Sequence, residues 1–435
     1  AKPLLDGPSK TAVAVRAVPF DAGQAGAIGG FFTSAIVAGE YAWFLPAVAS
    51  RIVAVHRTTE RVRYLSLPPN ATLVSGASFY AAGGCFDGKQ FIYLAPAGLQ
   101  QIVRVDVFAF ETFALPWPAS LHRKYAFLGA YCDPVSGDVI LFPSANLYLV
   151  RYHPSATLGA ANQSAGFPQI AFGSFQSGFE NRFDFLGAVF ANGRLWLVPH
   201  RASQLVLVSY GIKNRDYRVH GQITGEVGTA LFSGGCFDGT HVHLAPYNTV
   251  RGASINIFTE RFVRTNIGGK NTGCAFDGRY VWFLSANAAT ELKGLDTYNE
   301  LAIVVASVPV AAAGLPTSGG NVYQGGAFDG ERLWISPVKV AFAVVIQPVS
   351  WRSASVSPSV STGRLIRAAD GFTDAGYIAA RPLTARVQLR TYANPVAGMF
   401  AAIIPLRRLD ALLFVPYSTQ SGFALLRRQT ETIES

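Results

Sequence analysis

The sequence predicts an all-β protein on three observations. One short phrase recurs along its 435 residues, an Asp-Gly or Asn-Gly pair interrupts most copies, and the residues after that pair read as a strand rather than a helix. The phrase is GGCFDGKQFIYLAP from Gly83, GGCFDGTHVHLAP from Gly234, GCAFDGRYVWFLS from Gly273 and GGAFDGERLWISP from Gly325. Weaker copies are GAYCDPVSGDVILFP from Gly129, GAVFANGRLWLVP from Gly187 and GGFFTSAIVAGEYAWFLP from Gly29. A degenerate eighth, DGFTDAGYIAARP, begins at Asp370. The closing residues Pro46, Pro96, Pro143, Pro199, Pro246, Ser285, Pro337 and Pro382 are 50, 47, 56, 47, 39, 52 and 45 residues apart. Radial β-repeats of about 40 to 50 residues per blade have this period. The expected architecture is a single β-propeller over residues 28–404, with eight blades of four antiparallel strands. Seven blades with a β-appendage, or nine, are the alternatives.

Each element has a physical reason. Residues 1–27 carry TAVAVRAVPF, whose part 11–19 forms a strand with no local partner, so it is expected to close the ring by pairing with the C-terminal region. The first strand of each repeat opens with small residues, such as Gly83-Gly84, Gly234-Gly235 and Gly325-Gly326, because blades converge on the central channel and bulky side chains would collide there. The pairs Asp87-Gly88, Asp238-Gly239, Asp277-Gly278, Asp329-Gly330 and Asn192-Gly193 are hairpin turns, where positive φ is least costly for Gly and tolerable for Asp or Asn. The second strand is β-branched and aromatic, as in FIYLAP, RLWLVP and YVWFLS, and its closing Pro ends the ladder. Third strands follow as RIVAVHR from Arg51, QIVRVDV from Gln101, QLVLVSY from Gln204 and SINIF from Ser254. Fourth strands are RVRYLSLP from Arg61 and RFVRTNI from Arg261, reached through turns at Thr58-Thr59-Glu60 and Thr259-Glu260. Residues 405–435 hold further strands, LDALLFVP and GFALLRRQ, expected to complete the closing blade.

The Gly-Gly opening, the Asp-Gly hairpin, the aromatic strand and the later polar turn together resemble the Kelch-like, galactose-oxidase-type propeller repeat, over roughly residues 28–390. That resemblance implies an architecture used for binding and sometimes for catalysis.

Half the residues are apolar and 14% are charged, which excludes a disordered chain. The apolar runs are too interrupted to span a bilayer as a helix. The net charge is +10, which is compatible with acidic protein, nucleic-acid, lipid or glycan partners, but the basic residues are scattered rather than clustered and carry no nucleic-acid signature. Cys85, Cys132, Cys236 and Cys274 lack metal-ligand spacing and read as small buried hydrophobes with reduced thiols, not as disulfide partners. No signal-peptide pattern is visible from Ala1 onward, whether or not a presequence was removed before it, and localisation stays open.

No catalytic residue, cofactor site or metal site is assigned. His241 and His243 share one strand face, but the sequence places no third ligand beside them. The recurring Asp is explained by its turn, and no paired carboxylates, nucleophile elbow or phosphate loop stands out. Few Lys, many Arg and 31 Phe give the balance of a surface buried against other proteins. The expected role is a non-enzymatic structural or docking subunit of a larger assembly: a virus or phage particle, a surface layer or an organellar complex. A propeller binding an anionic glycan or surface is the alternative, and an enzyme acting at the channel mouth the third reading.

Overall fold

The computed structural model describes residues 10–25, the greater part of 32–348, and beyond them the strands Val387–Gln388, Phe400–Leu406, Ala411–Pro416 and Ala424–Arg427. The repeats fold into seven four-stranded antiparallel blades, spanning 32–66, 81–115, 127–171, 185–222, 232–265, 271–307 and 323–348. Three strands of the seventh blade come from 323–348, and the fourth is Lys10–Pro19. The expected all-β propeller is therefore found, with the smaller of the blade numbers considered rather than eight. The degenerate repeat at Asp370–Pro382 lies outside the described residues.

Ring closure uses a different partner from the one expected. Val13 to Pro19 pair antiparallel with Pro348 to Phe342, and Lys10 to Ala12 run parallel to Val305 to Ser307 of blade 6. The C-terminal strands do not take part: Phe400–Leu406, Ala411–Pro416 and Ala424–Arg427 pair with one another and with Val387–Gln388 in a separate sheet. The physical reason is a missing strand. Among the described residues the seventh repeat supplies three strands, and the outer edge of the third, Phe342–Pro348, pairs with the strand that precedes the first repeat. The join is reinforced by side chains, since Arg57 of blade 1 donates to the Asp329 carbonyl at 3.1 Å and Arg332 of blade 7 donates to the Arg57 carbonyl.

The core is divided into seven apolar clusters, one between each pair of successive blades. Ile36, Trp43 and Leu45 of blade 1, for example, pack on Phe86, Ile92 and Leu94 of blade 2, and Trp334 with Val345 of blade 7 packs on Phe44 and Val53 of blade 1. Both faces of each blade are covered this way, so second strands such as Tyr41–Pro46 are buried at nearly every position. This is why those strands read as continuous apolar runs.

At the hub the backbones touch. A Cβ on Gly83 would lie 3.3 Å from the Gly129 Cα of the next blade, and one on Gly234 would lie 3.1 Å from the Gly273 Cα. Each inner strand also carries a bulge here: Phe232 pairs with Pro246, but Gly235 pairs with Leu244. Gly83 (φ 125°), Gly187 (φ 91°) and Gly234 (φ 75°) take up the left-handed backbone that the bulge needs.

The same convergence overturns the expectation of free thiols. Cys85 of blade 2 is bonded to Cys132 of blade 3, and Cys236 of blade 5 to Cys274 of blade 6, each with Cα atoms 5.5 Å apart. Aligned on the repeat phrase, Cys132 stands one position after Cys85, and Cys274 one position before Cys236. An offset of one puts the partners on opposite faces of their own strands. Those two faces meet between neighbouring blades. The native protein should accordingly offer no thiol to alkylation until it is reduced. Closing loops of 47 and 38 residues, each bridge is worth on the order of 4 kcal/mol by chain entropy. Denaturation of Cys85→Ser/Cys132→Ser against the parent protein measures that loss.

Candidate functional site

The axial end where the inner strands begin opens into a cavity of about 610 Å³. Its floor is the ring of small residues, including Gly83, Gly129, Gly187, Gly234, Gly273 and Gly325. Side chains around it come from two places in the repeat. The residue before the hub glycine supplies Ser233, Thr272 and Gln324, and the connection after the closing Pro supplies His200, Tyr247 and Asn248. Lys270 comes from the loop entering blade 6 and lies exposed, with its Nζ 6.0 Å from the centre of the Tyr247 ring. His200 is buried, sits 5.8 Å from the same ring, and donates from Nδ1 to the Phe232 carbonyl. Because a carbonyl only accepts, Nδ1 carries the proton. Burial pushes the Tyr323 phenol up to about 12, so it stays neutral. Among the described residues lining the cavity there is an ammonium, an imidazole, hydroxyls and amides, but no carboxylate. That set suits a ligand rich in acceptors or negative charge.

None of these residues was singled out from the sequence. The signal was present in the repeat. The position just after the closing Pro is His in blade 4 and Tyr in blade 5, where blade 1 and blade 2 have Ala47 and Ala97.

The recurring Asp sits at the opposite end of the inner strand, at the turn between first and second strands. Its Oδ1 accepts the backbone N–H groups across the turn: from Thr240 and His241 at 2.7 and 2.6 Å for Asp238, and from Glu331 and Arg332 at 2.9 and 2.6 Å for Asp329. The turn reading holds, with one correction. The Asp is not itself at positive φ; Gly239 (φ 92°) and Gly330 (φ 95°) carry that conformation, and the Asp acts by accepting hydrogen bonds. Only in blade 4 does a non-glycine, Asn192 (φ 49°), share it with Gly193.

The second oxygen has a further task. Oδ2 accepts the indole N–H of Trp282 in Asp277 (2.7 Å) and of Trp334 in Asp329 (2.8 Å), fastening the turn to the side chain that packs on the next blade. Burial pushes the Asp277 carboxyl up to about 6 despite the donors around it. In blade 5 the Trp position is His243, whose Nε2 lies 3.1 Å from Asp238 Oδ2 and whose Nδ1 meets Ser254 Oγ at 2.8 Å. His241, two residues earlier, brings its Nδ1 to 3.5 Å from the same oxygen. Burial disfavours the charged Asp238 carboxylate, but the two imidazoles beside it outweigh burial and hold it well below the usual carboxylate range. The structure thus joins the histidine pair to a third group that the sequence did not place.

No family description and no curated protein matches the sequence. Solved structures match in fold. A catalytically inactive virginiamycin B lyase from Staphylococcus aureus with quinupristin aligns with a TM-score of 0.58 at 12% identity, covering 77% of this chain and 99% of that one. The WD40 repeats of RRP9 align at 0.54 and 9% identity, covering 78% and 99%, and YCF48 bound to D1 peptide at 0.50 and 11%, covering 78% and 99%. At such identities the likeness shows the propeller fold and leaves activity open, since these neighbours include both a lyase and WD40 repeats.

The double use of the turn carboxylate is measurable. Asp329→Ala strips two backbone donors and strands the buried Trp334 indole, so it should cost roughly 2 to 4 kcal/mol. Asp87 Oδ1 accepts the backbone N–H groups of Lys89, Gln90 and Phe91 in a turn where water can replace it, so Asp87→Ala should cost about half as much in the same urea titration.

Proposed function

We propose that this propeller is a docking subunit of a larger assembly and that its axial mouth receives an acidic segment of a partner protein. The carrying observation is the lining of the mouth, which presents Lys270, His200 and a set of hydroxyls and amides with no carboxylate among the described residues. A chain of net charge +10 adds long-range attraction for such a segment. Among the described residues the cavity also offers no acid paired with a base, and no nucleophile held by one, which favours binding over catalysis. That YCF48, a propeller of like fold, was solved with a peptide supports a peptide as occupant. Two disulfides between blades fit an oxidising setting, such as a surface layer or the exterior of a particle, better than a reducing one.

Anionic glycan is the second reading. It draws on the Tyr247 ring beside Lys270, since an aromatic face flanked by hydrogen-bonding groups also suits a sugar.

Fluorescence anisotropy with a labelled oligoglutamate peptide tests the proposal. Binding should weaken steeply with salt and fall at least about tenfold in Lys270→Glu, the equivalent of about 1.4 kcal/mol. Peptide binding that ignores Lys270→Glu, or a sulfated oligosaccharide that binds where the peptide does not, would set the protein-docking reading aside.

A further inference from the structure

The positions equivalent to His241 and His243, at the start of each second strand, are filled in the other blades as Tyr41/Trp43, Phe91/Tyr93, Asp138/Ile140, Arg194/Trp196, Tyr280/Trp282 and Arg332/Trp334. Blade 5 alone has His241/His243, two ring nitrogens donors at the place where a turn carboxylate already waits. In other blades the carboxylate receives an indole N–H. Here the ligand atoms of Asp238, His241 and His243 all lie within 4.8 Å of one another.

We propose that Asp238, His241 and His243 form a site for a first-row divalent cation of borderline softness, Zn²⁺ above all. The spacing fits. Bonds of about 2.0 to 2.1 Å in a tetrahedron put neighbouring ligand atoms about 3.3 Å apart, and the Asp238 oxygen stands 3.1 Å from His243 Nε2 and 3.5 Å from His241 Nδ1. The donor set of two imidazoles and a carboxylate is one that Zn²⁺, Co²⁺, Ni²⁺ and Cu²⁺ accept. An outer shell is in place: Ser254 Oγ meets His243 Nδ1, and the backbone N–H groups of Thr240 and His241 hold the other Asp238 oxygen, leaving Oδ2 to face the histidines.

A second observation concerns His241. Its Nδ1 is buried and stands 3.5 Å from Asp238 Oδ2, too long for a good hydrogen bond, an arrangement that costs free energy unless something binds both atoms. A cation would. The His241 side chain keeps 16% exposure, so a fourth ligand, water or a partner's donor, has a way in. The site is independent of the axial mouth, because the inner strand Phe232–Phe237 begins at the mouth with Ser233 and ends at the Asp238 turn.

Calorimetric titration of ZnCl₂ into chelator-stripped full-length protein tests this, with Co²⁺ absorption reporting the geometry. One equivalent should bind with a Kd below about 1 μM, and Co²⁺ should give the intense visible bands of a tetrahedral site. His241→Phe copies blade 2 and His243→Trp copies four other blades, so both should fold, shown by an unchanged circular dichroism spectrum. Each should weaken Zn²⁺ at least a hundredfold. No stoichiometric binding by the parent protein, or equal affinity in His241→Phe, overturns the site. If His243→Trp unfolds, His241→Phe decides alone.

Discussion

Everything in this molecule depends on how closely seven backbones approach one another at the axis. Sheets radiating from a common centre have most room at the rim and least at the hub. At the hub there is space for a Cα and little else: Gly83 faces Gly129, and Gly234 faces Gly273, at distances where a methyl group would already press on the neighbour. From that contact follow the bulge in each inner strand, the reach of a disulfide between adjacent blades, and the floor of the axial cavity. Moving outward, the gaps widen and are filled by larger residues, ending with indoles such as Trp43, Trp196 and Trp334 that are wholly shielded from solvent. Aromatic side chains bury enough area to hold the wedge-shaped gaps closed.

Such a molecule has no central core. It has seven interfaces of similar design, each contributing to the ring only if the ring is complete. This places unusual weight on the strand Lys10–Pro19, which supplies the outer edge of blade 7 and touches blade 6 as well. Val18 and Phe20 then carry the chain into the apolar cluster shared by blades 7 and 1. Arg57 and Arg332 exchange hydrogen bonds with backbone carbonyls across the same seam, polar fastenings at the point where the chain's own continuity does not join the blades.

Much of this was legible before any coordinates. The spacing of the Gly-Gly-x-Phe-Asp-Gly phrase carries the radial plan because each copy must solve the same crowding problem with the same small residues. What escaped was whatever depends on relations between repeats rather than within them. Cysteines at nearly the same repeat position look distant along the chain, yet neighbouring blades bring equivalent positions into contact, and the one-residue offset of Cys132 from Cys85 was the visible sign. The partner of the first strand escaped for a related reason. Apolar segments near the C-terminus drew attention as edges to be paired, while the edge that takes Lys10–Pro19 is that of Phe342–Pro348 in blade 7. At the mouth, His200 and Tyr247 stand where other repeats have Ala, so comparison of repeats for their differences would have found them. The same comparison finds His241 and His243, but only the folded turn shows Asp238 Oδ2 between them.

The low charge also has a clearer origin now. Blades covered on both faces need apolar residues on both, and this alone consumes most of the Val, Ile, Leu and Trp. Large apolar side chains left exposed are few among the described residues, and the two most exposed aromatic ones, Phe108 and Phe258, sit at turns between third and fourth strands. The claim that crowding at the hub governs the fold is tested most directly by two alanine substitutions compared in one denaturation series. Gly234 and Gly137 have almost the same φ, 75° and 74°, so the strain that positive φ puts on an added Cβ is matched. They differ in space, since Gly234 faces Gly273 at 3.1 Å and Gly137 has nothing within 4 Å. Gly234→Ala should cost about 1 to 3 kcal/mol more than Gly137→Ala, the typical penalty of overpacking; equal losses would contradict the account.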